Sequence, residues 1–281
     1  MSGAPLPPLE LCDRVGLVSV DSLVGGPDAL FDDLLASRWW DPDRPHASYD
    51  RFGRELGLTV RAALPQDWSW PGKRVLDFGC GAGRVLRHFL AEAEEAEFWG
   101  CDIDGPSIAW LQSALCPPLH AFHSGEWPPL PFEDGSVDLI YAMSVYTHLT
   151  DNWSAWMVEH HRILRPGGLL LASFGGPAMR RWFGLQDWDP QAEGMRVFGA
   201  GTDWERGGPA AFHAPWWLRR HWGRAFEVMN LVPDGLTLPA GRGQGWALLR
   251  RREVGINVDD LERGASEPAS DVDLTRAAGG A

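Results

Sequence analysis

An aspartate and three evenly spaced glycines carry the clearest chemistry in this sequence. Asp77 closes a short apolar run, and Gly79, Gly81 and Gly83 follow it at alternate positions. Glycines in such a turn allow positive φ and let a ligand approach the bare backbone. The pattern predicts a buried strand, a tight turn and a helix N-terminus that together hold a nucleotide-like cofactor.

A second acid follows at the spacing that a nucleotide site requires. Asp102 ends the next apolar segment, about twenty residues past the turn, where a carboxylate can accept hydrogen bonds from ribose hydroxyls. Nicotinamide and flavin enzymes also use a glycine turn, but their Gly-x-Gly-x-x-Gly pattern usually lacks an acid two residues before the first glycine. Asp104, which precedes Gly105 and Pro106, suits the task of capping the next helix better than Asp102 does.

Strands that alternate with helices must position these residues. Between residues 73 and 175 apolar runs alternate with helical patterns, which predicts a doubly wound, mostly parallel α/β sheet. The predicted strands are 74–78, 98–102, 119–123, 137–143, 168–175, 226–231 and 245–250, and the predicted helices are 51–64, 84–95, 106–115 and 153–164. The expected sheet has seven strands, and the last two form a closing pair with an antiparallel edge strand.

The composition divides the chain into three regions. Residues 1–50 are rich in Pro, Gly and acids and predict an N-terminal cap with a helix at 29–40. Residues 51–253 form the main domain, in which 177–225 is an aromatic-rich lid between the fifth and sixth strands, because long loops in compact domains are usually functional. The acidic residues 254–281 have few apolar side chains and predict a disordered tail.

Charge and cysteine usage exclude several classes of protein. A formal net charge of −13 disfavours a nucleic-acid partner, since phosphate binding depends on Lys and Arg. The four cysteines show no CxxC pair or metal-ligand spacing, which predicts free thiols in a reducing cytoplasm and no metal site. No secretory signal pattern opens the chain and no apolar run approaches the length of a membrane span, so we expect a soluble protein without membrane contact.

Five sequence blocks, taken in order, give the chain a family resemblance. They begin with VLDFGCGAGR at 75–84, and the others are 99–104, 130–141, 144–149 and 164–171. In this order and spacing they resemble the class I S-adenosylmethionine-dependent methyltransferases. The segment LPFEDGSVDLIYAMSVYTHL at 130–149 is similar to a bacterial subgroup that modifies small molecules or saccharides. The resemblance implies S-adenosylmethionine as the cofactor and a small-molecule acceptor.

The same resemblance implies how the cofactor is held. Asp77 and the glycine turn would cradle its methionine part, Asp102 would bind its ribose, and Ile103 would pack on its adenine. Glu126 and Trp127, after the third strand, are the candidates for the adenine edge, although their loop departs from the common Gly-Asp-Ala pattern. Each glycine could instead serve only a tight turn, and Glu126 could simply be a solvated acid.

Three further residues are candidates for the reacting end of the cofactor. Ser144, just past the fourth strand, would lie near the methionine ammonium or the transferable methyl group. An oxygen nucleophile must lose its proton, and histidine suits that role near neutral pH, so His148 and His213 are the candidate bases. The alternatives are that each histidine packs or hydrogen-bonds a loop, and that proximity and desolvation act without a dedicated base.

These patterns predict a metal-independent methyltransferase that modifies oxygen in preference to nitrogen. The acids of catechol-type enzymes and the Asp/Asn-Pro-Pro-Tyr/Phe loop of amino methyltransferases are both missing after the fourth strand. Tryptophans of the lid could line a pocket for an aromatic, saccharide or other natural-product-like acceptor, or could pack the lid onto the sheet or a dimer partner. The alternatives are a nicotinamide-dependent oxidoreductase and a cofactor-binding but catalytically silent partner protein. The sequence leaves the oligomeric state open.

Overall fold

The structure is a computed structural model that describes residues 45–181, 183–202, 208–237 and 243–270. Most of the predicted cap, its helix at 29–40, Trp182, Trp204 and residues 271–281 lie outside these ranges. The chain divides into two compact units, one that ends at Glu126 and one that begins at Trp127. The predicted domain bounds stay a prediction.

The first unit contains helices around three parallel strands. Its elements are α1 (Pro45–Ala63), β1 (Arg74–Phe78), β2 (Glu97–Asp102), α2 (Gly105–Leu115) and β3 (His120–His123). Strand β2 lies between β1 and β3 and runs parallel to both. Four consecutive residues of β1 are buried, as expected for a parallel strand covered on both faces. Neither α1 nor any other helix in the described ranges is long and apolar enough to cross a membrane.

The segment after the glycine turn differs from the single α-helix predicted at 84–95. Its regular structure consists of two short 3-10 turns, Leu86–Phe89 and Glu92–Glu94. The guanidinium of Arg87 donates to the carbonyls of Ala82 and Gly83, at 2.7 and 3.0 Å. No side chain caps the segment at Val85. The predicted α-helix is therefore wrong, and the segment lacks the side-chain cap that would satisfy the first N–H groups of a helix.

The second unit contains the remaining strands of the sheet and a small separate sheet. Its elements are β4 (Val137–Ala142), α3 (Trp153–Ile163), β5 (Leu164–Phe174), a 3-10 turn (Pro177–Arg181), β6 (Met195–Phe198), β7 (Ala210–His213), α4 (Pro215–Ala225), β8 (Phe226–Thr237), β9 (Gly243–Arg251) and α5 (Val258–Glu262). Strands β4 and β5 are parallel, and β9 is antiparallel to both β5 and β8. Strands β6 and β7 form an antiparallel pair of their own.

The main sheet of the described residues has seven strands and is mostly parallel, as the sequence predicts. The α/β fold class is thus confirmed. The antiparallel strand is β9, which lies between β5 and the edge strand β8. The predicted antiparallel edge strand is thus an inner strand, because β8 pairs with the outer side of β9 and forms the edge.

The predicted lid at 177–225 contains regular structure and buried tryptophans. Three of its indole N–H groups donate to main-chain carbonyls: Trp188 to Glu193 at 3.0 Å, Trp216 to Pro190 at 2.7 Å and Trp217 to Ala265 at 2.9 Å. These three side chains are at most 2% exposed. Two of these bonds stay within the predicted lid, and the third joins it to Ala265, which lies beyond it. The role of the lid tryptophans stays a prediction.

The start of the predicted disordered tail is ordered in the structure. Helix α5 begins with a capping box in which Asn257 and Asp260 exchange side-chain to main-chain hydrogen bonds. Side chains along α4 donate to main-chain carbonyls of this segment, among them Arg224 to Asp260 at 2.7 Å. Residues 254–270 thus differ from the prediction, because α4 supplies hydrogen-bond donors that composition does not reveal.

Candidate functional site

The glycine turn after β1 has the left-handed backbone that its composition predicts. Gly79, Gly81 and Gly83 have φ values of 78°, 53° and 75°. The N–H groups of Gly79 and Cys80 both donate to the carbonyl oxygen of Cys101, at 2.8 and 3.0 Å. These two bonds fix the start of the turn to the end of β2. Since the turn carries almost no side chains, its backbone can lie close to a ligand.

The carboxylate of Asp102 joins this turn to the loop after β2. Its Oδ2 accepts from the Gly81 N–H at 2.7 Å, and its Oδ1 accepts from the Asp104 N–H at 2.9 Å. These two bonds orient the Asp102 carboxylate. Asp102 thus has a structural role that the sequence did not predict, and its ribose contact stays a prediction.

Asp104 is the cap of α2, as the sequence predicts. The Ser107 hydroxyl donates to its Oδ2 at 2.7 Å, and the Ser107 N–H donates to its Oδ1 at 3.4 Å. The neighbouring Ile103 is half-buried, and its carbonyl oxygen lies 3.0 Å from Nε2 of His123. His123, at the end of β3, thus holds the backbone beside the predicted adenine contact. Sequence reasoning missed this residue.

Close packing explains two glycines at the turn. A Cβ atom at Gly83 would lie 2.7 Å from Cδ1 of Leu111 in α2. A Cβ atom at Gly100 in β2 would lie 2.8 Å from Sγ of Cys80. At either position a larger residue would force a neighbouring side chain to move, and at Gly83 the positive φ would add backbone strain. Gly83 was predicted for its place in the turn, whereas Gly100 was missed.

The acidic and thiol groups beside the turn are buried. Asp77 is 2% exposed at the carboxyl end of β1. Burial raises the pKa of both the Cys80 and Cys101 thiols above the ordinary cysteine value, and the nearby Asp77 and Asp102 charges raise it further. Both thiols therefore remain protonated at neutral pH. Cys80 and Cys101 are free cysteines, as predicted, and Cys116 is free as well.

The candidates for the adenine edge lie on the protein surface. Glu126 is exposed, and Trp127 exposes 56% of its surface. Such exposure of a tryptophan is unusual, because its large apolar ring gains most from burial. Their adenine contact stays a prediction.

Ser144 lies in a hydrogen-bonded group within the second unit. Its N–H donates to Oγ of Ser173 at 2.6 Å, and its own hydroxyl donates to Oε1 of Gln244 at 3.2 Å. The Ser173 hydroxyl donates to the same Oε1 at 2.9 Å. We call these three residues the serine–glutamine network. Sequence reasoning found Ser144 and missed the other two, although a serine near the end of the apolar β5 was a visible signal.

The two candidate bases have different surroundings in the second unit. His148 is half-buried, and its Nδ1 lies 2.8 Å from the carbonyl oxygen of Pro209. His213 is fully buried, and neither ring nitrogen forms a hydrogen bond with the residues that the structure describes. Burial lowers the pKa of His213 to about 3. Its ring packs against Trp217 and Trp222, with centroid distances of 5.3 and 6.0 Å.

A family model places the glycine turn in a wider pattern. Residues 75–168 match the model described as "Methyltransferase domain". This match includes Asp77, the three glycines, Asp102, Ser144 and His148, and it excludes His213. Within the described ranges, no three His, Cys, Asp or Glu side chains come together as a possible metal site.

Curated relatives match part of this chain, and a solved structure has its fold. Phthiotriol/phenolphthiotriol dimycocerosates methyltransferase 1 of Mycobacterium ulcerans is 34% identical over 132 residues, 47% of this chain and 44% of that protein. O-methyltransferase rstn1 of Aspergillus nomiae is 30% identical over 139 residues, 47% of this chain and 58% of that protein. This chain thus spans about half the length of the curated relatives it matches. The glycopeptide N-methyltransferase MtfA, crystallised with S-adenosylmethionine, has the same fold at 13% identity, with a TM-score of 0.51 over 71% of this chain and 87% of that one.

Proposed function

We propose that this protein transfers a methyl group from S-adenosylmethionine to a small molecule, because residues 75–168 match the family model described as "Methyltransferase domain". The observation that carries the proposal is the left-handed glycine turn whose Gly81 N–H is held by Asp102. One relative is named for phthiotriol dimycocerosates and another as an O-methyltransferase, which supports a small-molecule acceptor and oxygen as the accepting atom.

The residues around the turn fit an S-adenosyl cofactor. Three left-handed glycines provide a backbone without side chains, and Asp102 provides an oriented acceptor for ribose hydroxyls. Asp77, Gly79, Gly81, Asp102 and Ile103 would hold the cofactor in this region. When bound, S-adenosylmethionine supplies a methyl group on a positively charged sulfur, which an acceptor atom can attack directly.

The geometry favours His148 over His213 as the base. A carbonyl oxygen can only accept a hydrogen bond, so the contact with Pro209 places the proton of neutral His148 on Nδ1. The lone pair of His148 is then on Nε2, where it can accept the proton of an acceptor hydroxyl. His213, in contrast, would have to take up a proton among buried aromatic rings, and burial opposes that step.

Replacing His148 by alanine should lower kcat by about 10²- to 10⁴-fold if the acceptor is a hydroxyl, since a positioned base contributes a factor of this size. The dissociation constant of S-adenosylhomocysteine should change little, because the change removes a group that acts on the acceptor. Steady-state kinetics and calorimetry would measure the two effects. The matched variant is His213→Phe, which should keep kcat within a few-fold of the original. Full activity in H148A, or a folded but inactive H213F, would reverse the assignment.

Calorimetric titration tests the proposed function itself. We expect S-adenosylmethionine and S-adenosylhomocysteine to bind to the full chain, and a methyl-labelled cofactor to transfer its label to at least one of a phenol, a fatty acid and a hexose. Transfer should persist in excess chelator, as predicted for metal-independent chemistry. Failure of a folded sample to bind either compound would refute the proposal. Binding without transfer to any acceptor would favour the silent partner protein, and stabilisation by NAD alone would favour the oxidoreductase.

A further inference from the structure

Ser144 has an unusual backbone conformation directly after β4. Its φ of 65° makes it the only non-glycine residue in the described ranges with a left-handed backbone. Side chains disfavour this region of φ, and residues held there cluster at functional sites. A glycine would adopt the same φ without cost. What serine adds at this position is therefore its hydroxyl group.

The serine–glutamine network holds Ser144 in this conformation. Ser173 comes from β5 and Gln244 from β9, so Ser144 is bound from the two strands that follow β4 in the sheet. Ser173 is completely buried and Gln244 is 4% exposed, whereas Ser144 is half-buried. Two buried side chains thus bind the backbone and the side chain of one partly accessible residue.

The direction of each hydrogen bond follows from the donors present. The Ser144 N–H can only donate, so Ser173 Oγ accepts this hydrogen bond. The Ser173 hydroxyl then donates its own proton to Gln244. If the Gln244 amide nitrogen faced the two hydroxyls instead, the buried Ser173 proton would lose this acceptor. Oε1 therefore takes the protons of both Ser144 and Ser173. The Ser144 hydroxyl, with its proton engaged, can only accept a further hydrogen bond.

We propose that Ser173 and Gln244 are positioning residues that fix Ser144 as a pure hydrogen-bond acceptor for an ammonium group of a ligand. An ammonium suits such an atom because it carries three donors and no acceptor, whereas a hydroxyl group both donates and accepts. The proposal rests on the proposed function, because the amino acid part of S-adenosylmethionine supplies the ammonium. It goes further by assigning roles to two buried residues outside the turn, one of them 100 positions from Ser144.

The experiment compares two ligands and four variants of the full chain. Calorimetry measures the dissociation constants of S-adenosylhomocysteine and of its analogue without the amino group. Ser144→Ala removes the acceptor, Ser173→Ala removes the backbone anchor, and Gln244→Met keeps the side-chain length but removes Oε1. Gln244→Glu retains an acceptor oxygen for both hydroxyls. Thermal unfolding of every variant separates stability from binding.

We expect the first three variants to weaken binding of S-adenosylhomocysteine about tenfold or more. This is the effect expected when a hydrogen bond to a charged group is lost. Affinity for the analogue without the amino group should change less than twofold. Q244E should keep the original ratio between the dissociation constants of the two ligands. If the network had a purely structural role, the variants would lower the unfolding temperature without changing this ratio.

Ser154→Ala is the matched control, because Ser154 is 1% exposed and its hydroxyl donates to Glu262, outside the network. It should lower the unfolding temperature without changing either affinity. The proposal is overturned if S173A and Q244M match this control, or if both ligands lose affinity equally. Absence of S-adenosylhomocysteine binding to the original protein would instead refute the proposed function.

Discussion

Replacing Asp102 by alanine should weaken binding of S-adenosylhomocysteine about a hundredfold or more. The change removes the acceptor of the Gly81 N–H and of the Asp104 N–H, and it removes the predicted ribose contact. Hydrogen bonds to a charged group contribute about 1.5–3 kcal/mol each, and about 1.4 kcal/mol corresponds to a tenfold change in affinity. Isothermal titration with S-adenosylhomocysteine measures the effect directly.

Asp104→Ala is the control for this variant, since the two acids lie two residues apart and have different tasks. Asp104 caps α2, so its loss should lower the free energy of unfolding by about 1 kcal/mol. The affinity for S-adenosylhomocysteine should remain within a few-fold of the original. If D104A loses binding while D102A retains it, the assignment of the two acids is wrong. If neither variant loses binding, the cofactor does not depend on the Asp102 carboxylate.

A second large effect should appear when the pH falls below about 6.5. Burial lowers the pKa of His88, His160 and His213 to about 3 from the ordinary value of 6.5. These histidines therefore become protonated near pH 6.5 in the unfolded chain but only near pH 3 in the folded chain. The stability contributed by these neutral side chains is complete above pH 6.5 and is lost as the pH falls. As the pH falls from 6.5 to 5, each of these three histidines should lower the free energy of unfolding by about 2 kcal/mol.

Urea unfolding at several pH values would measure this loss. His213→Phe should reduce the slope of unfolding free energy against pH by about 1.4 kcal/mol per pH unit in the acid range. At pH 7.5 it should leave the stability unchanged or raise it, because it removes two buried nitrogens that form no hydrogen bond with the described residues. The exposed His120, changed to Gln, is the control that removes a histidine from the surface. An unchanged slope in H213F would contradict the buried neutral imidazole.

Local patterns were enough to predict the parts of the site that a short segment builds by itself. The glycine turn requires positive φ at Gly79 and Gly81, and only glycine adopts it without cost, so residue type and conformation correspond directly. The same holds for the cap at Asp104, whose partner Ser107 is three residues away. Parallel pairing followed from the alternation of strands and helices, whereas the order of the strands did not.

Contacts between distant residues could not be predicted in this way. Gln244 becomes a partner of Ser144 only because β9 inserts between β5 and β8. His213 resembles a candidate base in the sequence, but packing against Trp217 and Trp222 buries it and opposes protonation. The tail at 254–270 is ordered because α4 donates hydrogen bonds to its main chain.

By itself the sequence determined the α/β class, the glycine turn and the acid that follows it, because these depend on residue type and short spacing. Only the tertiary structure decided which of two histidines is buried and which side chains hold Ser144. Burial and long-range hydrogen bonds arise when strands from distant parts of the chain come together. They set the protonation of His213 and the hydrogen-bonding direction of Ser144, and both bear on the chemistry that we propose.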